Sequence, residues 1–401
     1  MEHQPDVIVI GAGVIGLCSA WRLAQQGLKV TVLEQDEPIP GASVNSLGVL
    51  AYPTPLRQSP FLSLHRESLG MFPQFAQELT EASGIDVQFT RCGSMEIIPT
   101  EPQREQAEKE VKVVNAQRLK VDGRPALELL STREAKQVER EAITTEFGAL
   151  YSNLTAQVSV DNLLHALRAA GEKIGVVYRN GCRAQHIAIG REKVKGVACG
   201  SETMLCPRVV ACTGAWTSQL GPLLKRNAYV EPVRGQAILL ETPRRLLQGV
   251  LKWKKKYVIA LGENLAALGS TTEKDSGFDI SATPQGLLEI LTITTEALPA
   301  LASCAVKRVW AGLRPAALDS KPYLGPVPGA EGLYVAAGHY KVGFGFAPLT
   351  GEVIAQLIAE GDCAHDISAL LPRLCEPVNK KKRKDGQASE SPAGDAGNGD
   401  L

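Results

Sequence analysis

The chain has 401 residues, 44% of them hydrophobic and 21% charged, proportions of a globular protein rather than a disordered or fibrous one. Its 43 basic residues are balanced by 43 acidic ones, so no bulk charge is on offer to nucleic acid or a membrane surface. No apolar run approaches the ~18 residues of a membrane-crossing helix, and the length fits two domains or one large α/β unit with an insertion.

Nine cysteines are scattered without a CxxC pair. That pattern fits reduced thiols in an intracellular protein, so a cytoplasmic location is expected. Cys206 and Cys212 could in principle pair, yet both flank a strand-like run and read as core. The six histidines never occur at i, i+4 spacing, and no metal site is expected. The first apolar run, Val7 to Ile10, is too short for a signal-peptide core and opens a motif instead.

Asp6 to Ile10 is a β-branched run that predicts a buried strand. Gly11-Ala12-Gly13-Val14-Ile15-Gly16 follows, then a helical stretch from Leu17 to about Gln26 that Gly27 stops. A second strand, Lys29 to Leu33, ends in Glu34, close to the ~20-residue separation expected of an acid that binds ribose hydroxyls. Gly11 permits the tight turn, Gly13 admits a pyrophosphate to the backbone, and Gly16 lets the helix pack on the strand. The helix N-terminus supplies free N–H groups and partial positive charge. Strand, glycines, helix, strand and acid in this order predict dinucleotide binding. Glu34 favours an unphosphorylated ribose, hence NAD or FAD over NADP.

The next segment, residues 41–50, carries Ser43, Asn45 and Ser46 among small residues. It suits a loop around a pyrophosphate or a flavin edge, whereas an NAD-binding unit more often continues through a helix to a third strand. Residues 61–84 are amphipathic, 102–120 polar and helical in composition, and 161–170 amphipathic again. Ser131 with Glu134 three residues on predicts a capped helix start. Strands are predicted at 174–178, 184–189, 194–199 and 203–211. A further group at 229–240 and 256–270 alternates as an antiparallel sheet does.

Three later motifs complete a pattern. Val209 to Ala211 leads through Cys212 into Thr213-Gly214-Ala215-Trp216; Trp310-Ala311-Gly312-Leu313-Arg314-Pro315 precedes Asp319, Pro322 and Gly325-Pro326; and Gly332 to His339 leads to Gly343, then Ala347-Pro348 and Thr350-Gly351. Together with the N-terminal unit they bracket residues 6–360 in the order used by the D-amino-acid oxidase family of glutathione-reductase-type FAD proteins, which the chain resembles. Within that family, the Trp-Ala-Gly-Leu-Arg-Pro and Ala-Ala-Gly-His stretches most resemble glycine oxidases of the thiamine pathway. The resemblance implies an α/β fold: a Rossmann-type FAD-binding domain and an α+β substrate domain with a mostly antiparallel sheet. The expected division is 1–85, 150–228 and 305–362 for FAD, and 86–149 and 229–304 for substrate.

The resemblance also implies a chemistry, in which an α-carbon hydride passes to flavin N5 and the cofactor does the difficult step. Arg314 is the expected carboxylate clamp, since a guanidinium binds a carboxylate through two parallel hydrogen bonds; the other reading pairs it with an acid such as Asp319. Tyr257 matches a family tyrosine whose hydroxyl also touches the carboxylate, and the lysines before it, Lys254 to Lys256, read as a solvated edge. Lys341 stands where glycine oxidases commonly have arginine and Val49 where methionine is frequent, so both bear on substrate identity. Thr213, Gly214, His339, Gly343 and Gly345 are expected against the cofactor, the last two admitting it to the N-terminus of a helix that starts near Gly345. Phe344 and Phe346 read as core or pocket lining. Residues 311–326 hold no cysteine for covalent attachment, so FAD is expected to be non-covalent. The expected partners are a small amino acid or amine, O2 or a quinone as acceptor, and further copies of the chain. A D-amino-acid dehydrogenase and a non-catalytic flavin-binding interaction protein are the other readings.

Residues 376–401 are polar, carry the basic run Lys380 to Lys384, and end in Gly, Ser, Asp and Pro. They cannot bury apolar surface and are expected to be disordered. The basic run resembles a nuclear localisation signal, with a plain solvated tail as the other reading.

Overall fold

The computed structural model describes residues 4–36, 41–53 and 59–374. The tail expected to be disordered lies outside them.

The first β-branched run forms the strand Val7–Ile10, buried at all four positions. It is central in a six-stranded sheet whose order is Val177–Arg179, Val30–Leu33, Val7–Ile10, Val209–Ala211, Leu333–Ala337, Tyr323–Pro326. All pairings are parallel except the last. A parallel sheet must be covered on both faces. One face carries the helices Val14–Gln25, Pro60–Ser83, Val160–Lys173 and Gly343–Ala359, which meet in a core around Trp21, Phe72, Phe75 and Phe346. Cys18 and Gly351 mark a close helix crossing, where a Cβ on Gly351 would fall 2.8 Å from the Cys18 sulfur. The helix Pro60–Ser83 starts at Ser59, whose hydroxyl accepts from the Leu62 amide, has Pro60 in its first turn, and ends at Gly84 in the left-handed region.

A three-stranded antiparallel sheet, Ala184–Gly190, Lys193–Cys199 and Glu202–Leu205, covers the other side. The strand expected over 203–211 is therefore two strands in two sheets. Cys206, Pro207 and Arg208 interrupt it, because proline removes a ladder donor and the two halves pair with different neighbours.

The second large sheet has eight strands in the order Ala305–Ala317, Val230–Glu241, Leu265–Gly269, Lys256–Ala260, Val250–Trp253, Ser94–Ile97, Ala149–Ser152, Leu127–Leu130. It is antiparallel apart from one parallel pair, Ser94–Ile97 with Val250–Trp253. Residues 305–317, placed above with the FAD segment, hydrogen-bond here along nearly the whole of Val230–Glu241. The helix Pro284–Ala297 packs on this sheet over the core of Ile238, Leu251 and Leu268. Ser131 caps the helix Thr132–Val138 in a full capping box with Glu134, as expected. All cysteines among the described residues are free thiols, Cys206 and Cys212 included.

Candidate active site

Residues from both large sheets line one cavity of about 1030 Å³. Its wall runs from Gly11, Gly13 and Glu34 past Ser43, Asn45, Ser46, Thr213 and Gly214 to Tyr257, Arg314, Lys341, Gly343 and Gly345. Every site residue expected from the sequence except Gly16 is on that wall, and Gly16 lies beneath it.

At the dinucleotide end the glycines leave no room for side chains. Gly11 has φ +102°, and a Cβ there would fall 2.5 Å from the Cys212 carbonyl oxygen; on Gly16 it would fall 1.9 Å from the Gly11 oxygen. Glu34 is only 7% exposed. One carboxylate oxygen accepts the Ala12 N–H at 2.8 Å, and the other accepts those of Gln35 at 2.9 Å and Asp36 at 3.3 Å. Burial pushes its pKa upward, against the pull of those three amides. The helix Val14–Gln25 has no cap from Gly13, and its Val14 amide donates instead to the Ser43 hydroxyl at 2.9 Å. A first helical turn with open amides, glycine in place of side chains, and a buried carboxylate at the end of the next strand is a donor set for a pyrophosphate and a ribose diol. The cavity therefore fits FAD. Glu34 would hold its ribose, and Gly11, Gly13 and the Val14–Gln25 N-terminus its phosphates.

The loop of Ser43, Asn45 and Ser46 joins the two sheets. Asn45 donates to the Gly41 carbonyl at 3.0 Å and accepts the Trp310 indole N–H on its own carbonyl at 3.2 Å. Its side chain lies over Gly312, where a Cβ would meet it at 2.7 Å. Thr213 hydrogen-bonds to Thr217, which in turn donates to the Gly214 carbonyl.

The substrate end is built by register. Gly235 pairs with Gly312, Val233 with Arg314, and Tyr257 with Gly269. Side chains alternate across a sheet, so Arg314 and Tyr257 rise from the same face with glycines between them. A Cβ on Gly235 would fall 2.2 Å from an Arg314 terminal nitrogen, and one on Gly269 would fall 3.0 Å from the Tyr257 hydroxyl. The glycines thus form the floor on which both side chains lie. Arg314 donates to the Thr271 carbonyl at 2.9 Å and the Ser270 hydroxyl at 2.6 Å. Asp319 pairs with Arg373 instead, so the alternative of an Arg314–Asp319 pair is not formed. Lys341 sits with its ammonium 5.3 Å from the Tyr340 ring centre.

His339 lines the cavity but turns its ring inward, where Nε2 is 3.2 Å from the Thr350 hydroxyl. Burial holds its pKa down to about 3, so it is a neutral imidazole. Phe344 and Phe346 are buried. The lysine run is not uniformly solvated. Lys256 is buried and ion-paired with Glu289 at 2.5 Å, and only Lys254 and Lys255 are exposed.

Three wall residues were not expected from the sequence. Lys252 pairs in register with Tyr257 and with Glu96, which places both charges on the same sheet face as the clamp. His65 is 2% exposed, stacks on Phe61 and Phe346, and has no partner for its buried Nδ1. Burial lowers its pKa to about 3. Its sequence signal was a polar residue inside the buried stripe Phe61, His65, Ser68, Phe72.

Among the described residues no helix is long and apolar enough to cross a membrane, and no group of side chains could hold a metal ion. The chain is 29% identical over 375 residues to a glycine oxidase of Geobacillus kaustophilus, covering 92% of this chain and 96% of that protein. It is 28% identical over 414 residues to the hydrogen cyanide synthase subunit HcnC of Pseudomonas aeruginosa, covering 94% and 98%. The crystal structure of glycine oxidase from Geobacillus kaustophilus superposes with a TM-score of 0.85 at 27% identity, covering 94% of this chain and 100% of that one. The family model for FAD dependent oxidoreductases, DAO, matches residues 6–357, so the chain belongs to the DAO family of FAD-dependent oxidoreductases.

Proposed function

We propose that this enzyme oxidises glycine or another small amino acid or secondary amine at its α-carbon, with O2 as the final acceptor. The observation that carries the reading is the Arg314 guanidinium lying on Gly235 within the cofactor cavity, with Tyr257 on the same face. When bound, FAD supplies the acceptor for the α-carbon hydride. The chain supplies the rest. Arg314 has five N–H donors; two are held by Thr271 and Ser270, which orients the fork and leaves others for a substrate carboxylate. Tyr257 donates a further hydrogen bond and limits the hollow to a small substrate. Burying the amine beside a clamped carboxylate favours its neutral form, so no dedicated base is required. Neutral His339 does not act as one. The resulting imine hydrolyses to the oxoacid and ammonia, and O2 is reduced to hydrogen peroxide. Lys341 places a cation at the same end of the cavity.

Non-covalent FAD is part of the proposal. Among the described residues the only cysteines on the cavity wall, Cys182 and Cys212, stand at the dinucleotide end. Glycine as substrate is supported by the names of the glycine oxidase relatives; a role in thiamine synthesis, self-association and a cytoplasmic location extend the same reading. The test is a peroxide and oxygen-uptake assay of the FAD-loaded enzyme with glycine, sarcosine and D-alanine. Turnover with stoichiometric peroxide supports it. Turnover only with a quinone or dye assigns a dehydrogenase, and no turnover with any of the three removes the substrate assignment.

A further inference from the structure

Two thiols meet at the dinucleotide end of the cavity. Cys182 lies just before the strand Ala184–Gly190, and Cys199 closes the strand Lys193–Cys199. Ala184 is the register partner of Cys199, which places Cys182 two residues from the position opposite Cys199. Burial, and then the neighbouring Cys182 thiol, push the Cys199 pKa up. Both are half-buried and pack against the same apolar cluster beneath the six-stranded sheet. Cys182 also lines the cavity beside Glu34 and Arg183, and its backbone N–H donates to the Glu34 carbonyl at 2.8 Å. The other buried thiols differ. Cys18 is sealed in the core, Cys212 is 6% exposed where it meets the cavity wall, and the Cys206 thiol donates to the Arg208 carbonyl.

We propose that Cys182 and Cys199 are an oxidisable dithiol that hydrogen peroxide closes to a disulfide beside the cofactor's adenosine end. The Cys182 thiolate attacks one peroxide oxygen, breaking the O–O bond to give a sulfenic acid and hydroxide. The Cys199 sulfur then displaces the sulfenic oxygen, and the proton released from its thiol leaves with that oxygen as water. Two thiols lose two electrons and two protons, and one peroxide becomes two waters. Cys182 is the thiol on the cavity wall, which makes it the attacking sulfur, and Cys199, behind it in the same cluster, the resolving one. The disulfide would fix the residue whose amide holds the end of the Glu34 strand.

The test treats the FAD-loaded full chain with added hydrogen peroxide, so it does not depend on the reaction proposed above. Free thiols are then alkylated and tryptic peptides weighed. The expected product joins the Cys182 peptide to the Cys199 peptide, two hydrogens lighter than the sum, and dithiothreitol reverses it. Cys206 shares the second peptide, and the fragment spectrum separates the two sulfurs. Cys182→Ser and Cys199→Ser each abolish the linked species, whereas Cys304→Ser leaves it. Recovery of both thiols fully alkylated, or a link through Cys206, overturns the proposal, as does oxidation of Cys182 to sulfinic acid with Cys199 still free.

Discussion

Gly235 lies directly beneath Arg314: a Cβ on the glycine would fall 2.2 Å from one terminal nitrogen of the guanidinium and 2.3 Å from its central carbon. The flat fork rests on bare backbone, and its direction is fixed from the side by Thr271 and Ser270. Gly235→Ala should lift the fork off the sheet without touching any group that holds FAD. Its kcat/KM should fall about 100-fold, roughly 2.7 kcal/mol of transition-state binding, with the flavin spectrum unchanged. Steady-state kinetics on FAD-loaded enzyme check this.

Removing the fork tests its role more bluntly. Arg314→Ala should cost roughly 2–5 kcal/mol in substrate recognition, the loss of a charge-assisted pair, while FAD stays bound. Arg314→Lys should recover only part of it, because a point charge cannot make two parallel hydrogen bonds. The comparison of kcat/KM across the three proteins is the measurement.

Glu34 makes a prediction about cofactor affinity. Glu34→Gln keeps the shape but loses a charged acceptor, which should weaken FAD by roughly 1.5–3 kcal/mol, about 10- to 150-fold in Kd. Its pH dependence has a definite sign. Burial raises the folded-state pKa above the ordinary 4.5. The carboxyl therefore favours the fold most below 4.5, and that contribution is lost as pH rises through the folded value. In the FAD-free protein, the stability of wild type relative to Glu34→Gln should decline over that rise. Fluorescence titration with FAD and urea unfolding across pH read the two effects.

The buried histidines act in the opposite direction. Both His65 and His339 are held from the ordinary 6.5 down to about 3 by burial. The unfolded chain takes up their protons first, so the stability present above 6.5 drains away as pH falls toward 3. Each contributes up to about 1.4 kcal/mol per pH unit over that window. His65→Phe, which keeps the stack with Phe61 and Phe346, should flatten the acid limb of a urea-unfolding series by about that much. An unchanged limb would show that His65 is not buried neutral in solution.

What the sequence disclosed was local or carried by a motif. The strand, glycines, helix and acid from Val7 to Glu34 lie in one continuous stretch, and each glycine answers a steric need of its neighbours. Arg314 was found from a short motif and Tyr257 from the family resemblance, and the structure brings them to one sheet face. What remained hidden was produced by register. Nothing near Gly235 or Gly269 in the chain says that they floor the clamp, because their partners Gly312 and Tyr257 lie on other strands. Lys252 and Glu96 face the cavity for the same reason. The sheet of the strand Ala305–Ala317 was hidden too, because its late motif lines the cavity while its hydrogen bonds belong to Val230–Glu241. His65 was passed over because the amphipathic pattern around it was sufficient to predict the helix without it.

The most direct test of a small amino acid held by Arg314 is an anaerobic absorbance titration of the FAD-loaded enzyme with glycine, sarcosine and D-alanine, followed by air. Loss of the flavin band at ~450 nm with at least one of the three, its return on admitting oxygen, and the absence of both in Arg314→Ala are the predicted result. A flavin that none of the three bleaches, or that Arg314→Ala bleaches equally well, would contradict it.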